Sequence, residues 1–175
     1  VSPTSPAGIP ATGTWKIDSV HSSATFRVAH HRVATFRGHF HDVRGELLDG
    51  VLSGSVESES LDVGTMAVFK EQLLGPEWFD LANHATLSFR STDLHAHGDH
   101  LHGAGELTIR GVTRAVELSG NARGPIAVPS RDGRTADRLG LDLSTTINRR
   151  EFGLTGDGGA ADQVTIDVSL ELVAQ

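Results

Sequence analysis

A chain of 175 residues, 38% of them hydrophobic, fits one domain with a real core. Its net charge is −7 and its Lys and Arg are scattered, so neither nucleic acid nor an anionic membrane surface finds a basic footprint. Cysteine is absent, which excludes disulfides, thiolate metal sites and cysteine nucleophiles and leaves the compartment open between cytoplasmic and secreted or periplasmic.

The opening VSPTSPAGIPATG, residues 1–13, lacks the charged and apolar regions of a signal peptide. It reads as a flexible leader before a single domain over 14–175. Alternation begins at Trp15. TWKID sets Trp15 and Ile17 on one face, and SATFRVAH sets Ala24, Phe26, Val28 and His30 together. TFRGHFHDVRGELLD is strand material interrupted at Gly38 and Gly45, and VLSGSVESESLD is a strand that turns polar. TMAVFKEQLLGPEWFD, residues 65–80, breaks the period: Met66, Phe69, Leu73 and Leu74 recur at spacings of three to five. That is one face of a short amphipathic helix, stopped by Gly75-Pro76. Strands resume as ATLSFRST, GELTIRG, RAVELSGNA, LGLDLSTTIN and QVTIDVSLELV. In the last, Val164, Ile166, Val168, Leu170 and Leu172 share one face. Residues 124–138, GPIAVPSRDGRTADR, read as a long polar loop. About nine alternating segments between glycine-rich turns specify an all-β barrel or sandwich, with the helix as a cap or crossover.

Ten histidines raise the question of metal. His39/His41, His95/His97 and His100/His102 are H-x-H pairs, and in a strand such a pair aims two imidazoles the same way. His39-x-His41 followed by Glu46 resembles the first half-motif of the cupin barrels, whose metal takes two His, a Glu and a later His. The second half is missing, and Val33 stands where the first expects glycine. A metal-dependent cupin-like enzyme using His39, His41 and Glu46 is therefore the rival reading. The other two pairs, in residues 94–103, flank Gly98-Asp99 and read as an exposed hairpin tip with at most adventitious metal affinity. No G-x-S-x-G elbow, P-loop or dinucleotide fingerprint is present, so neither a catalytic constellation nor a cofactor is expected.

GTWKIDSVHSSATFRVAHHRVATFRGHF carries a spaced pattern: Trp15, Ile17, Asp18, His21, Ser22, Phe26, Val28, His30, Arg37, Gly38 and Phe40. WFD, ATLSFRST, GELTIRGVTRAVEL and INRREFGL follow in order. Together they resemble the YceI-like family, the polyisoprenoid-binding lipocalin-like barrels, from residue 13 to about 172. There are departures. FKEQLL stands where the family has Arg-Asp-x-His-Leu, His31 replaces an aliphatic residue, Ala85 a proline and Glu151 an aspartate.

The resemblance implies an extended antiparallel β-barrel of lipocalin type with one short amphipathic helix. It implies a non-enzymatic protein that binds, stores or transports an elongated isoprenoid lipid, either a polyprenyl chain or an isoprenoid quinone, and it allows a homodimer. The apolar stripes then supply the channel wall: Phe26, Val28, His30, Phe40, Phe69, Leu73, Trp78, Phe79, Leu87, Phe89, Leu107, Ile109, Ile147 and Phe152. His21 and His30 are family positions that are either structural or near the polar end of the ligand, whereas His31, His39 and His41 are solvent-facing strand or loop residues. Arg149 or Arg150 either meets a headgroup or pairs with Asp18 or another carboxylate. The helix at 65–80 is a mobile lid or a fixed plug, with Trp78 as its reporter.

Overall fold

The computed structural model describes residues 8–64, 67–130 and 132–175; Thr65, Met66, Arg131 and the first part of the anticipated leader lie outside the described residues. Six strands precede the helix: β1 (Thr14–Ile17), β2 (Ser23–His30), β3 (Ala34–Phe40), β4 (Arg44–Leu48), β5 (Val51–Glu57) and β6 (Leu61–Asp62). The helix α1 (Ala67–Leu73) is followed by β7 (Thr86–His97), β8 (His100–Ile109), β9 (Val112–Pro129), β10 (Thr135–Asn148) and β11 (Ala160–Ala174). They form a closed eight-stranded antiparallel barrel because the first six segments fill only three places in the wall. β1 and β2 both lie along β11, with Ile17 opposite Leu172 and Ser23 opposite Ser169, and residues 18–22 bulge between them. β4 and β3 pair with those two segments, and β5 and β6 with β4 and β3 in turn. Closure pairs the strand edges that an open sheet would leave exposed.

Three local expectations need correction. The break falls at residues 41–43, not at Gly38 or Gly45, and β3 runs straight through Gly38. A Cβ at Gly38 would lie 2.5 Å from the Phe26 ring, so the glycine lets that ring lie across the strand. Residues 124–138 are not a loop. β9 and β10 stay paired from Ser144 opposite Ser119 out to Thr135 opposite Pro129, so 124–129 and 135–138 are strand. The helical segment does not extend over 65–80: α1 ends at Leu73, just before the anticipated Gly75-Pro76 stop. Proline disfavours helical geometry at the residue before it and has no N–H to continue the ladder. The chain past Leu73 therefore coils through turns, with Trp78 N donating to Gly75 O at 3.1 Å and Phe79 N to Leu73 O at 2.9 Å. Trp78 and Phe79 thus sit on a loop rather than on α1.

The barrel interior divides along its axis. At the end where β1 and β8 begin, Trp15, Leu47, Leu101, Ala122, Leu139, Leu141 and Leu172 fill it, the last three fully buried. Register brings them together: Trp15 faces Leu47, Leu141 faces Ala122, and Leu139 faces Leu172. Toward the α1 end, inward residues such as Phe26, Leu87, Phe89, Leu107, Val164 and Ile166 are only half-buried. They face open space inside the barrel.

Candidate functional site

That space is a cavity of about 180 Å³ open to the centre of a water-sized sphere. Ile17, Leu52, Leu118, Leu143 and Leu170 adjoin the filled half, and Trp78, Phe79, Ile109 and Leu154 lie toward the α1 end. The wall is almost wholly apolar, with a single charged residue, Arg149, among those described.

Of the anticipated channel residues, Phe26, Phe40, Trp78, Phe79, Leu87, Phe89, Leu107, Ile109 and Ile147 line this cavity. Val28, His30, Phe69, Leu73 and Phe152 do not. Val28, Leu73 and Phe152 are buried in the surrounding core. Phe69 leaves α1 to meet Phe36 edge-on, ring centres 5.2 Å apart, and His30 stands edge-on to His31 at 4.2 Å. Strand alternation had signalled several wall residues that were not singled out for the channel, among them Ala24, Val164, Ile166, Val168 and Leu170. Val43, Val56, Val116, Leu118, Leu143 and Leu154 were missed outright.

An aromatic seam joins α1 to the cavity. Phe69 meets Phe36, Phe36 meets Phe26 at 6.1 Å, and Phe26 meets both Phe40 and Phe79, which pack edge-to-face at 5.5 Å. Offset and edge-on pairs of this kind add about 0.5–1.5 kcal/mol each beyond burial. A chain of C–H groups laid along them finds polarisable faces and no competing polar groups.

The α1 end is held by Arg149, which is 2% exposed. It begins the 3-10 turn Arg149–Phe152, which Asn148 caps by accepting from Arg150 N. Its Nε donates to Ala161 O at 3.0 Å, Nη1 to Leu154 O at 2.6 Å and Gly156 O at 3.0 Å, and Nη2 to Ala160 O at 3.1 Å. Its guanidinium also lies 4.9 Å from the Trp78 ring centre. Burial, and then the neighbouring Arg150 charge, push its pKa below the ordinary arginine value. It is spent on main-chain carbonyls rather than aimed at a headgroup or at Asp18, and Arg150 pairs with Asp162 at 2.6 Å. Across this joint Gly156 packs so close to Trp78 that a Cβ would come within 2.2 Å of the indole. Thr155 N and Gly156 N both donate to Glu77 O, and Arg110 donates to Trp78 O at 3.2 Å. The Trp78 loop is therefore bonded to its surroundings from several sides.

The side wall is looser. β9 and β10 cease to pair below Ser119 and Ser144, although both strands continue to Val112 and Asn148. A cleft opens between them, rimmed by Arg114, Glu117, Asn148 and Glu151. Val116, Leu118, Thr145 and Ile147 belong both to its wall and to that of the central cavity. Arg114 Nε spans its lower end to Glu151 O at 3.3 Å.

The polar groups assemble elsewhere. His21 Nδ1 and Asp18 Oδ2 lie 2.9 Å apart, and Arg138 bridges Asp18, at 3.2 Å, to Glu171. The Asp18 carboxyl is held below its ordinary value, chiefly by the His21 hydrogen bond, and His21 is raised by Asp18 in return. This network fixes the bulge between β1 and β2 and does not touch the cavity. The cupin-like triad does not form, because Glu46 on β4 pairs with Lys16 on β1. Gly98-Asp99 makes the expected two-residue turn, pairing His97 with His100, and the hairpin histidines form no convergent ligand set among the described residues.

Comparison with known proteins agrees with this architecture. The YceI-like domain family matches residues 15–172. A UPF0312 protein of Pseudomonas fluorescens is 26% identical over 178 residues, covering 97% of this chain and 91% of that protein. BcnA of Burkholderia cenocepacia superposes with a TM-score of 0.71 at 19% identity, covering 91% of this chain and 99% of its own. A polyisoprenoid binding domain from Saccharophagus degradans, described as implicated in plant cell wall breakdown, gives 0.71 at 13% identity over 92% and 98% of the two chains.

Proposed function

Because this chain belongs to the YceI-like family and its barrel encloses an apolar cavity, we propose that it binds an elongated isoprenoid lipid without transforming it. The observation that carries the reading is the wall itself. Its only charged member among the described residues, Arg149, has its donors engaged by four carbonyls, which leaves no acid, base or nucleophile poised over the space. Affinity then comes from desolvation, at ~0.8 kcal/mol for each CH₂ that leaves water. Both a polyprenyl chain and the tail of an isoprenoid quinone satisfy that chemistry, and storage or transport is the role it suits.

Size constrains how such a lipid binds. A cavity of ~150 Å³ holds one benzene, so 180 Å³ takes about one or two isoprene units. A longer chain must swing aromatic side chains aside or continue out of the barrel. The unpaired stretch between β9 and β10 supplies that way through, since no ladder hydrogen bonds need to break there. The Trp78 loop is the costlier place to open. We therefore assign α1 and this loop the role of fixed plug and the lateral cleft that of access route.

The deciding experiment is organic extraction of the purified protein followed by mass spectrometry, together with titration of an isoprenoid quinone. Recovery of a prenyl lipid, or saturable quinone binding, is expected. Failure of both refutes the reading.

A further inference from the structure

We propose that His39, His41 and Asp62 form a surface site for a first-row divalent cation of the zinc class, with water completing the coordination. His39 projects from the outer side of β3, opposite the inward Phe40, and His41 follows directly after the strand's end. Asp62 stands directly across from His39 in the short β3–β6 pairing. The sequence offered Glu46 as the carboxylate for this pair; the fold supplies Asp62 instead.

The geometry is that of a ligand set more than of an ion pair. Nε2 of His39 and Nε2 of His41 each lie 3.4 Å from the same oxygen, Asp62 Oδ2, and a ligand atom from each of the three residues falls within 4.8 Å of the other two. A charge-assisted N–H···O bond closes to about 2.7–2.9 Å. A tetrahedral zinc ion with bonds of about 2.0–2.1 Å instead spaces its ligand atoms about 3.3–3.4 Å apart. Each imidazole therefore stands farther from the carboxylate than a strong hydrogen bond would draw it, at the spacing of two ligands on one ion.

Neighbouring groups hold the ligands. Asp62 Oδ1 accepts from Gly64 N at 2.9 Å, which presents Oδ2 to the histidines. Ser60 Oγ accepts from His41 N at 3.2 Å, and its one hydrogen is shared between Glu57 O at 2.8 Å and His41 O at 3.0 Å, which ties down the backbone that carries the second imidazole. The other convergent set, Asp18, His21 and Glu171, lacks this character because Arg138 already occupies its carboxylates. Two imidazoles and a carboxylate suit zinc, nickel or copper better than calcium or magnesium. The site lies outside the barrel, so the ion's structural effect is to tie β6, the strand just before α1, to β3.

Zinc alone is the probe. Full-length protein stripped with EDTA is titrated calorimetrically with zinc sulfate, in a background where His95, His97, His100 and His102 are alanine. One equivalent should bind. His41→Ala and Asp62→Asn should each weaken it at least tenfold, and Glu46→Gln should leave it unchanged. Cobalt in the same background should give visible absorption of tetrahedral intensity that His39→Ala removes. At a hundredfold excess of zinc over its Kd, the unfolding equilibrium constant should fall about a hundredfold, an effect absent from His41→Ala. The proposal is overturned by no zinc binding in the hairpin-free background, by undiminished binding in His41→Ala and Asp62→Asn, or by loss of binding in Glu46→Gln. None of these readouts depends on a lipid, so it stands or falls apart from the lipid reading.

Discussion

Replacing Arg149 by methionine tests whether the closed end of the cavity is built on one buried cation. The substitution keeps an unbranched side chain of similar length and removes all four donors. The bonds to Leu154 O and Gly156 O are buried, and those to Ala160 O and Ala161 O are partly buried, so water can re-solvate only the second pair. Two carbonyls left dry cost ~1–3 kcal/mol each. Losing the stacking on Trp78 adds ~0.5–2 kcal/mol. Relief from burying a guanidinium offsets part of this, which leaves a net loss of ~3–5 kcal/mol. Against a typical domain stability of ~5–15 kcal/mol the change is large. Urea unfolding followed by circular dichroism should show a lower midpoint at unchanged slope. Arg149→Lys, which keeps the charge without the planar fork, should recover only a minority of the loss. A loss under ~1 kcal/mol for Arg149→Met, or full recovery with lysine, would refute the account of this joint.

Three further outcomes follow from the same geometry. His21 has a pKa raised above 6.5, so its contribution is complete below that pH and fades as pH rises through the folded value; Asp18, lowered from 3.8, contributes above 3.8 and fails in stronger acid. Asp18→Asn should therefore cost more stability at about pH 5.5 than at about pH 8.5, read from paired urea curves, and an equal cost at both would contradict the His21–Asp18 coupling. Gly156→Ala forces a methyl into the indole of Trp78 and should destabilise by ~1–3 kcal/mol, with a shift in Trp78 emission once Trp15→Phe has removed the other tryptophan; unchanged emission would mean the loop gives way elsewhere. The absence of cysteine makes single labels unique: a bulky maleimide on Ala115→Cys beside the β9–β10 cleft should slow isoprenoid quinone uptake, and one on Val68→Cys, an exposed position of α1, should not. The reverse order would make α1 the lid and the cleft a mere groove.

The strands were legible because their signal is local. Alternation put Ala24, Phe26, Val28 and His30 on one face of β2 and Val164 to Leu172 on one face of β11; the β11 face points inward throughout, and that of β2 does so at Ala24 and Phe26. Height along the barrel axis was not legible. Leu170 borders the cavity and Leu172, two residues on, sits in the filled layer, yet both carry the same side chain on the same face. Only the register against β1 and β10 separates them, and register belongs to the pairing partners rather than to the strand. The arginine pair was read only in part for a related reason: a carboxylate partner was one of the alternatives, and Asp162 serves Arg150, but the carbonyls around Arg149 were not foreseen. A charge beside an apolar Phe suggests a headgroup contact, but the four carbonyls that hold it come from residues 154–161, a stretch without periodicity. Asp62 escaped notice because 21 residues separate it from His41, a distance closed only when β6 returns to β3.

The division of the barrel into a filled and a hollow half also bears on how the fold tolerates a cavity at all. Unfilled apolar volume costs ~24 cal/mol per Å³ where neighbours cannot relax. For about 180 Å³ that is ~4 kcal/mol, a cost that has to be met elsewhere in the same domain. The filled half supplies it: Leu47, Leu139, Leu141 and Leu172 are fully buried there, at ~1.5–3 kcal/mol each. These residues are fixed by β1, β4, β10 and β11, whose pairing continues unbroken through that end. The hollow half is bounded by the interrupted strands, the α1 segment and the unpaired β9–β10 stretch, where the wall is cheapest to deform. Stability and capacity thus occupy different heights of one barrel. Enlarging the cavity to admit a longer chain costs little in the layer that holds the fold together, because the stretches of β9 and β10 that must part lie beyond Ser119 and Ser144, away from Ala122, Leu139 and Leu141 in the filled layer.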